Sequence, residues 1–469
     1  DTDNWIWPRH TGDFSMFRVY ASKDNRPAAY SPQNVPYRPK KHFSISTKGV
    51  KEGDFTMIYG FPGNTQEYIL SDAVAYIAER SDPAKIVVRT GRLDIITKAQ
   101  ESDPALRIHY AAKHASIANA WKKWQGEALG IDRRGTVAAK FDYETQFGLW
   151  SVGRPEYAGV VMGLRAEYDR IMDAYFAYEI TRETLSTLPA AYTPEERAEE
   201  CFARRKFAEQ ALWRHAFREY GRCPKVYRTP SYAEGMARYK SPEAYADALF
   251  EAVWEGSDSV AMQPAVRLRE ETKRMLDHIS WMLGTKSLRN LNSKILNELY
   301  TTYIKGLREW DRERAFYPDA NLTLRVAYGS VAGYEYADGE YHKPQTTLDG
   351  IIAKDNPEIY DYDIPQSLRD LYASKNYGRW GTVIDGRRTV PVCFLATNHT
   401  TGGNSGSPVL NAGGELIGIN FDRTWRSTMS DIAFDPAICR NIAVDIRYVL
   451  FVVDRVGGAG YLLKEMTLK

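Results

Sequence analysis

Two changes of hydrophobic period constrain this chain more than any other feature. The opening seventy or so residues carry strand signals. The segments FSMFRVYA (14–21), HFSIS (42–46) and FTMIYGF (55–61) are short, rich in β-formers and separated by polar or Pro/Gly stretches, with PYRPKK (36–41) as a loop. From about Ser71 the apolar residues recur three and four apart, through SDAVAYIAERSD, 101–126 and 157–187. Thr193-Pro194-Glu195-Glu196 is a capping box with Pro at the first helical position, and it predicts a helix running to Gly221. Helical patterning resumes at Ser241 and lasts to about Arg312. β-patterning then returns. LTLRVAYGSVAGYEYADGEYH (322–342) has a hairpin turn at Ala337-Asp338-Gly339, and PVLNAGGELIGINF predicts a hairpin across Asn411–Gly414. Asp445 to Arg455 reads as a strand or a C-terminal helix. A β region split by a large helical insert follows, which suits a barrel carrying a domain in one loop.

At 469 residues the chain is expected to hold more than one domain. We place a β segment at 1–70, a helical domain at 71–315 and a second β segment at 316–469. Lys plus Arg (62) nearly balance Asp plus Glu (60), so no nucleic-acid partner is indicated. No apolar run reaches the ~18 residues of a membrane-spanning helix. The start at Asp1-Thr2-Asp3-Asn4-Trp5, inside a dense aromatic and charged cluster, is expected of a fragment or processed product. Cys201, Cys223, Cys393 and Cys439 lack metal spacing. A Cys201–Cys223 bridge is conceivable in an oxidising compartment, but buried free thiols are the expectation.

Residues 399–410 read HTTGGNSGSPVL, with Ser405 between Gly403 and Gly406. Glycines there let the chain turn so that the amides of Gly403 and Ser405 aim at one spot, where an oxyanion would form. A Gly/Ser-rich hairpin loop without chemistry has the same local look. GNSGSPV followed by an apolar hairpin is the nucleophile setting of chymotrypsin-like peptidases, which order their triad His, Asp, Ser.

Taken with DTDNWIWPRHTGDFSMFRVYA, YGFPGNTQEY, GGNSGSPVLN, INFDRTW and AVDIRYVLF, this loop makes the chain closely resemble the bacterial dipeptidyl-peptidase 7 and dipeptidyl-peptidase 11 family of serine exopeptidases, over essentially its whole length. The resemblance implies a chymotrypsin-like double β-barrel, of which only the later part is present, with a large inserted α-helical domain closing the cleft. It implies Asp13 as triad acid and Ser405 as nucleophile. The family's triad histidine lies well before the DNWIWPRHTGD motif, so we expect the base to be missing and the chain to be inactive alone. His10 is the tempting substitute, but it already fills its own motif slot. His399 and the other six histidines are expected to be structural or exposed.

An exopeptidase must bind a free ammonium and block the chain beyond it. The resemblance assigns Asp422 as the ammonium's carboxylate, with Asn4 and Asn119 fixing the amine and first peptide unit. Trp5 and Arg9 shape the same subsite, and Phe421 lends its backbone. Arg423, eighteen residues after the nucleophile, would line the S1 pocket. There a guanidinium pairs bidentately with a side-chain carboxylate, so Asp or Glu is the expected residue before the cut. The competing possibility is that Arg423 pairs with Asp422 or Asp431 and points away.

The resemblance implies no metal or cofactor. Its partners would be peptides with a free N-terminus, the enzyme a homodimer, and its location periplasmic, cell-surface or secreted. The alternatives are the broad or hydrophobic-specific dipeptidyl-peptidase 7 type, and a non-catalytic protein that binds peptide N-termini.

Overall fold

The computed structural model describes residues 2–256, 259–284 and 291–469. The chain forms two compact units: Asp1–Glu67 with Asp319–Lys469, and Tyr68–Pro318.

The first unit is built on one antiparallel sheet of seven strands. In chain order these are β1 (Phe55–Gly60), β2 (Arg325–Ser330), β3 (Gln345–Thr347), β4 (Pro391–Ala396), β5 (Ser407–Leu410), β6 (Leu416–Arg423) and β7 (Asn441–Asp445). Their spatial order is β2-β1-β5-β6-β7-β4-β3. An antiparallel bridge, Val331↔Ala396, ties the end of β2 to the end of β4. Thr397 N–H donates to Ser330 O at 2.9 Å and Ala332 N–H to Leu395 O at 3.2 Å beside it. Six strands thus meet in a ring through that bridge, while β3 stays at the edge of the sheet. The ring is filled by Ile58, Val331, Phe394, Val409, Ile417 and Ala443. The register follows from this burial: Val409 faces Ile58 and Ile419 faces Val444, so apolar residues of neighbouring strands meet.

Two predicted strands fail. Of 14–21 only Tyr20–Ala21 pairs, with Val35–Pro36, and of 42–46 only Ile45 makes isolated bridges. Phe17 and Val19 lie exposed. β-forming side chains without a partner strand or a face to bury gain little from extended pairing. The final segment is helical, with α-turns at Ile446–Phe451 running into a π-type turn at Val452–Val456.

The second unit is helical: α1 (Asp82–Ser102), α2 (Pro104–Arg133), α3 (Thr136–Ser151), α4 (Val160–Glu183), α5 (Phe202–Tyr220), α6 (Pro242–Glu255), α7 (Ser259–Leu283) and α8 (Lys294–Trp310), with shorter turns between. Caps mark the boundaries. Asp103 accepts from Ala105 N–H at 2.7 Å and Pro104 takes the first helical position, so α1 stops and α2 starts within two residues. The Thr193 capping box forms, but its helix ends after Ala198. Glu199 turns to extended backbone, and its carboxylate lies 3.3 Å from the buried Arg205. The single helix predicted to reach Gly221 is therefore two, the second being α5. The unit's main core gathers Leu164, Tyr168, Ile171, Phe217, Phe250 and Tyr303.

All four cysteines are buried free thiols, Cys201 and Cys223 included. Among the described residues no helix is long and apolar enough to cross a membrane.

Candidate active site

The loop between β4 and β5 carries Ser405. Its shape is set by backbone that only glycine tolerates: Gly403 has φ +104 and Gly406 φ +83. A Cβ on Gly403 would sit 2.4 Å from Phe61 O. Asn404 is buried and braces the turn from inside. Its Oδ1 accepts from Thr401 N–H at 3.1 Å, and its carbonyl accepts from Ser407 N–H (3.0 Å) and from Asn420 Nδ2 (3.1 Å). Asn420 Oδ1 in turn accepts from Asn441 Nδ2 at 2.9 Å, so three buried asparagines from the loop, β6 and β7 form one ladder.

The same turn sorts its amides. Asn404 N–H donates inward to Thr401 O at 3.1 Å and Gly406 N–H to Asn420 O at 2.8 Å. The N–H groups of Gly403 and Ser405 have no acceptor among the described residues, and both residues are exposed. Two unspent donors flank an exposed hydroxyl, as an oxyanion site requires. Ser405 Oγ donates to the carbonyl of Phe421 at 3.2 Å.

That carbonyl leads to the second half of the site, the end of β6. The Asp422 side chain is 8% exposed and already engaged. Its Oδ2 accepts from Trp5 N–H at 2.9 Å and from Arg9 Nη1 at 3.0 Å, and its Oδ1 accepts from Arg423 N–H at 2.8 Å. Burial pushes the carboxyl above its ordinary range, and the Arg9 guanidinium opposes that shift. Arg9 is 1% exposed at its side chain and lies 5.1 Å from the Phe421 ring centroid. Its Nη1 also donates to Asp3 O, and its Nε to Thr11 Oγ1 at 2.6 Å. Trp5 holds φ +67, a left-handed conformation costly for a bulky residue. The backbone of Trp5 is held at both polar groups, since its carbonyl accepts from Trp425 N–H at 2.6 Å. The N-terminal motif is thereby stitched to the end of β6.

Arg423 is also committed. Its Nη1 donates to Asp431 Oδ1 at 2.6 Å and its Nη2 to Asp431 Oδ2 at 2.8 Å, a two-pronged ion pair. Nη1 further contacts Ser430 Oγ at 2.8 Å and Thr400 O at 3.3 Å. The guanidinium lies 5.4 Å from the Trp5 ring centroid.

Of the predicted site residues, Trp5, Arg9, Ser405, Phe421, Asp422 and Arg423 thus come together in the first unit. Gly403 flanks the serine. Asn4 is half-buried beside Trp5 in the chain, and Asp13 is exposed four residues past Arg9. Asn119 is an exposed residue of α2, in the other unit. The histidines of the first unit are engaged away from the serine. His399 stacks on Phe434, with Nε2 3.0 Å from Ser430 O and Nδ1 3.3 Å from Glu67. His342 bonds Glu340 at 2.8 Å and His42 bonds Thr467 at 2.8 Å. His10 is pressed against Gly350, and burial lowers its pKa to about 4. Residues missed from sequence are Asp431, Asn420 and Asn441. Asn420 lies inside INFDRTW, but nothing in that motif marks it as a brace for the serine loop, and Asp431 and Asn441 lie outside every motif quoted above.

A glycine-shaped serine loop with open amides, on an antiparallel sheet, is the setting a serine nucleophile requires. The peptidase S46 family model matches residues 1–206 and 195–468, and the chain belongs to this family. It is 41% identical to an Asp/Glu-specific dipeptidyl-peptidase of Capnocytophaga gingivalis, over 100% of this chain and 71% of that protein. It is 33% identical to a dipeptidyl-peptidase 7 of Phocaeicola vulgatus, over 100% of this chain and 70% of the other. Among solved structures, Porphyromonas endodontalis DPP11 in complex with the dipeptide Arg-Glu superposes with a TM-score of 0.84 at 32% identity, covering 100% of this chain and 72% of that one.

Proposed function

We propose that the chain carries the nucleophile and substrate-reading parts of a serine dipeptidyl-peptidase. It releases dipeptides from free N-termini, with Asp or Glu preferred before the scissile bond. The observation that carries this reading is the pair of open amides at Gly403 and Ser405, on either side of Asn404 and beside the exposed Ser405 hydroxyl. Ser405 Oγ attacks the substrate carbonyl, and the two amides hold the oxyanion that results. A histidine takes the serine proton, oriented by Asp13. The histidines of the serine's own unit are engaged elsewhere, so the reading assigns this base to none of them. The two-barrel architecture belongs to the same proposal, with the ring described above as one barrel.

Asp422 supplies the ammonium's counter-charge. It lies at the end of β6, one residue beyond the carbonyl that accepts from Ser405 Oγ. An extended dipeptide places its amine about 7 Å from the scissile bond. Trp5 and Arg9 hold that carboxylate, Phe421 lends its backbone, and Asn4 fixes the amine. Arg423 reads the side-chain carboxylate of the residue before the cut. The 41% identity to an Asp/Glu-specific relative supports this choice. A second reading, broad specificity of the dipeptidyl-peptidase 7 type, is favoured by one feature: the charge of Arg423 is already balanced by Asp431.

The test is mass spectrometry of peptides digested by the full-length gene product. A peptide beginning Xaa-Glu with a free amine is expected to lose that dipeptide, and its N-acetylated twin is expected to stay intact. Equal cleavage of both would overturn the exopeptidase reading.

A further inference from the structure

If Arg423 reads an acidic side chain, it does so from a site whose own charges already cancel. Arg423 and Asp431 form a two-pronged pair with side chains 5% and 12% exposed, and Arg9 and Asp422 form another beside them. A substrate carboxylate entering here meets no net positive charge. It meets a guanidinium whose two Nη groups already hold a carboxylate, at 2.6 and 2.8 Å. Adding a second carboxylate while the first stays in place sets two like charges against each other in a largely buried space.

The geometry also shows how Asp431 is held. It ends the short 3-10 stretch Trp425–Asp431 that follows β6, so the chain doubles back and returns a carboxylate to Arg423 eight positions earlier. Its own carbonyl accepts from Gln66 N–H at 2.6 Å, which anchors the residue through the backbone while leaving its carboxylate to the ion pair. The flanking Ser430 supplies Oγ to Arg423 (2.8 Å) and its carbonyl to His399 Nε2 (3.0 Å). Burial lowers the pKa of His399, which keeps that imidazole from adding a second cation. Ser430 Oγ and Thr400 O would still hold Arg423 Nη1 if Asp431 let go.

We infer that Asp431 is a specificity-setting residue: a resident carboxylate that positions Arg423 in the empty pocket and exchanges places with the substrate's Asp or Glu side chain. This inference rests on the assignment of Arg423 to the S1 pocket. Acidic preference then arises because only a carboxylate can replace a carboxylate on the guanidinium. An amide or alkyl side chain leaves the resident pair intact. Asp431 touches no reacting atom, so its effect falls on KM rather than on kcat.

The test compares dipeptide reporters ending in Glu, Gln and Leu on the full-length enzyme, as wild type, Asp431→Asn and Arg423→Gly. Asp431→Asn is expected to lower KM for the Glu reporter about tenfold, with kcat within about twofold and the Gln and Leu reporters little changed. Its melting temperature falls, and the dipeptide Arg-Glu raises it by more degrees than in wild type, because ligand then supplies the missing carboxylate. An unchanged or raised KM for Glu would overturn the inference. The two levels separate through Arg423→Gly. Acidic preference surviving that change sinks the S1 assignment itself. Preference lost in Arg423→Gly but KM unmoved in Asp431→Asn sinks only the role of Asp431. Should Asp431→Asn not fold, a crystal structure of the wild-type protein with Arg-Glu decides. Arg423 is expected to leave Asp431, with both Nη–Oδ distances beyond about 4 Å, and a pair retained at its present spacing contradicts the exchange.

Discussion

The nucleophile loop and the end of β6 sit side by side and solve opposite problems. The loop leaves groups open: Ser405 Oγ is exposed, and the amides of Gly403 and Ser405 have no acceptor among the described residues. The strand end arrives with its charges spent, Asp422 on Arg9 and Trp5, Arg423 on Asp431. The difference teaches where each kind of work is placed. On the proposed function, transition-state charge is met by backbone dipoles fixed in advance, which cost no reorganisation. On the same proposal, ground-state recognition of charged groups is built from ion pairs that substrate must enter or rearrange.

The largest expected effect breaks the open half. Ser405→Ala is expected to reduce dipeptide release by about 10⁴-fold or more, with the reporter's binding retained, read by initial rates and by equilibrium binding. The next breaks the closed half. Asp422→Asn leaves the buried Arg9 without its counter-charge, and removing one member of such a pair costs about 3–5 kcal/mol of stability. A chemical denaturation curve reads this directly, and the free-amine requirement weakens in parallel. Gly403→Ala comes third. The positive φ and the Phe61 carbonyl resist a side chain, so about 1–3 kcal/mol of stability is lost. Activity falls more than stability alone explains, because the amide is re-aimed.

The smallest effects sharpen the contrast by lying outside it. Thr193→Ala removes the capping box of the helical unit and is expected to cost about 1 kcal/mol with specificity unchanged, measured by thermal melting. His10 gives a pH signature. Its folded pKa of about 4 lies below the ordinary 6.5, so its neutral form is favoured by folding. That contribution is full above pH 6.5 and is lost as pH falls toward 4. His10→Gln is expected to flatten the decline in melting temperature across this window.

Much of this is legible in the sequence alone. Helices do begin at Ser71 and strands do resume at Arg325, the two places where the hydrophobic period changes, because those patterns are long. The serine loop was legible because glycine spacing encodes backbone shape. The early strands were not, since Phe14–Ala21 and His42–Ser46 have β-forming residues but no partner to bury them against. The break after Ala198 was invisible for a related reason. It places Glu199 against Arg205, a tertiary pairing that helix propensity does not record. Asp431 shows the limit most sharply. The sequence offers Asp422 and Asp431 alike as partners for Arg423, and only the return of the chain through Trp425–Asp431 decides between them.

One measurement bears most directly on the account: kcat/KM of the full-length enzyme for dipeptide reporters ending in Glu and in Leu, in wild type and Arg423→Gly. The account predicts that wild type favours Glu and that the substitution removes about 10- to 100-fold from Glu alone. A Glu preference that survives the loss of Arg423 would contradict it.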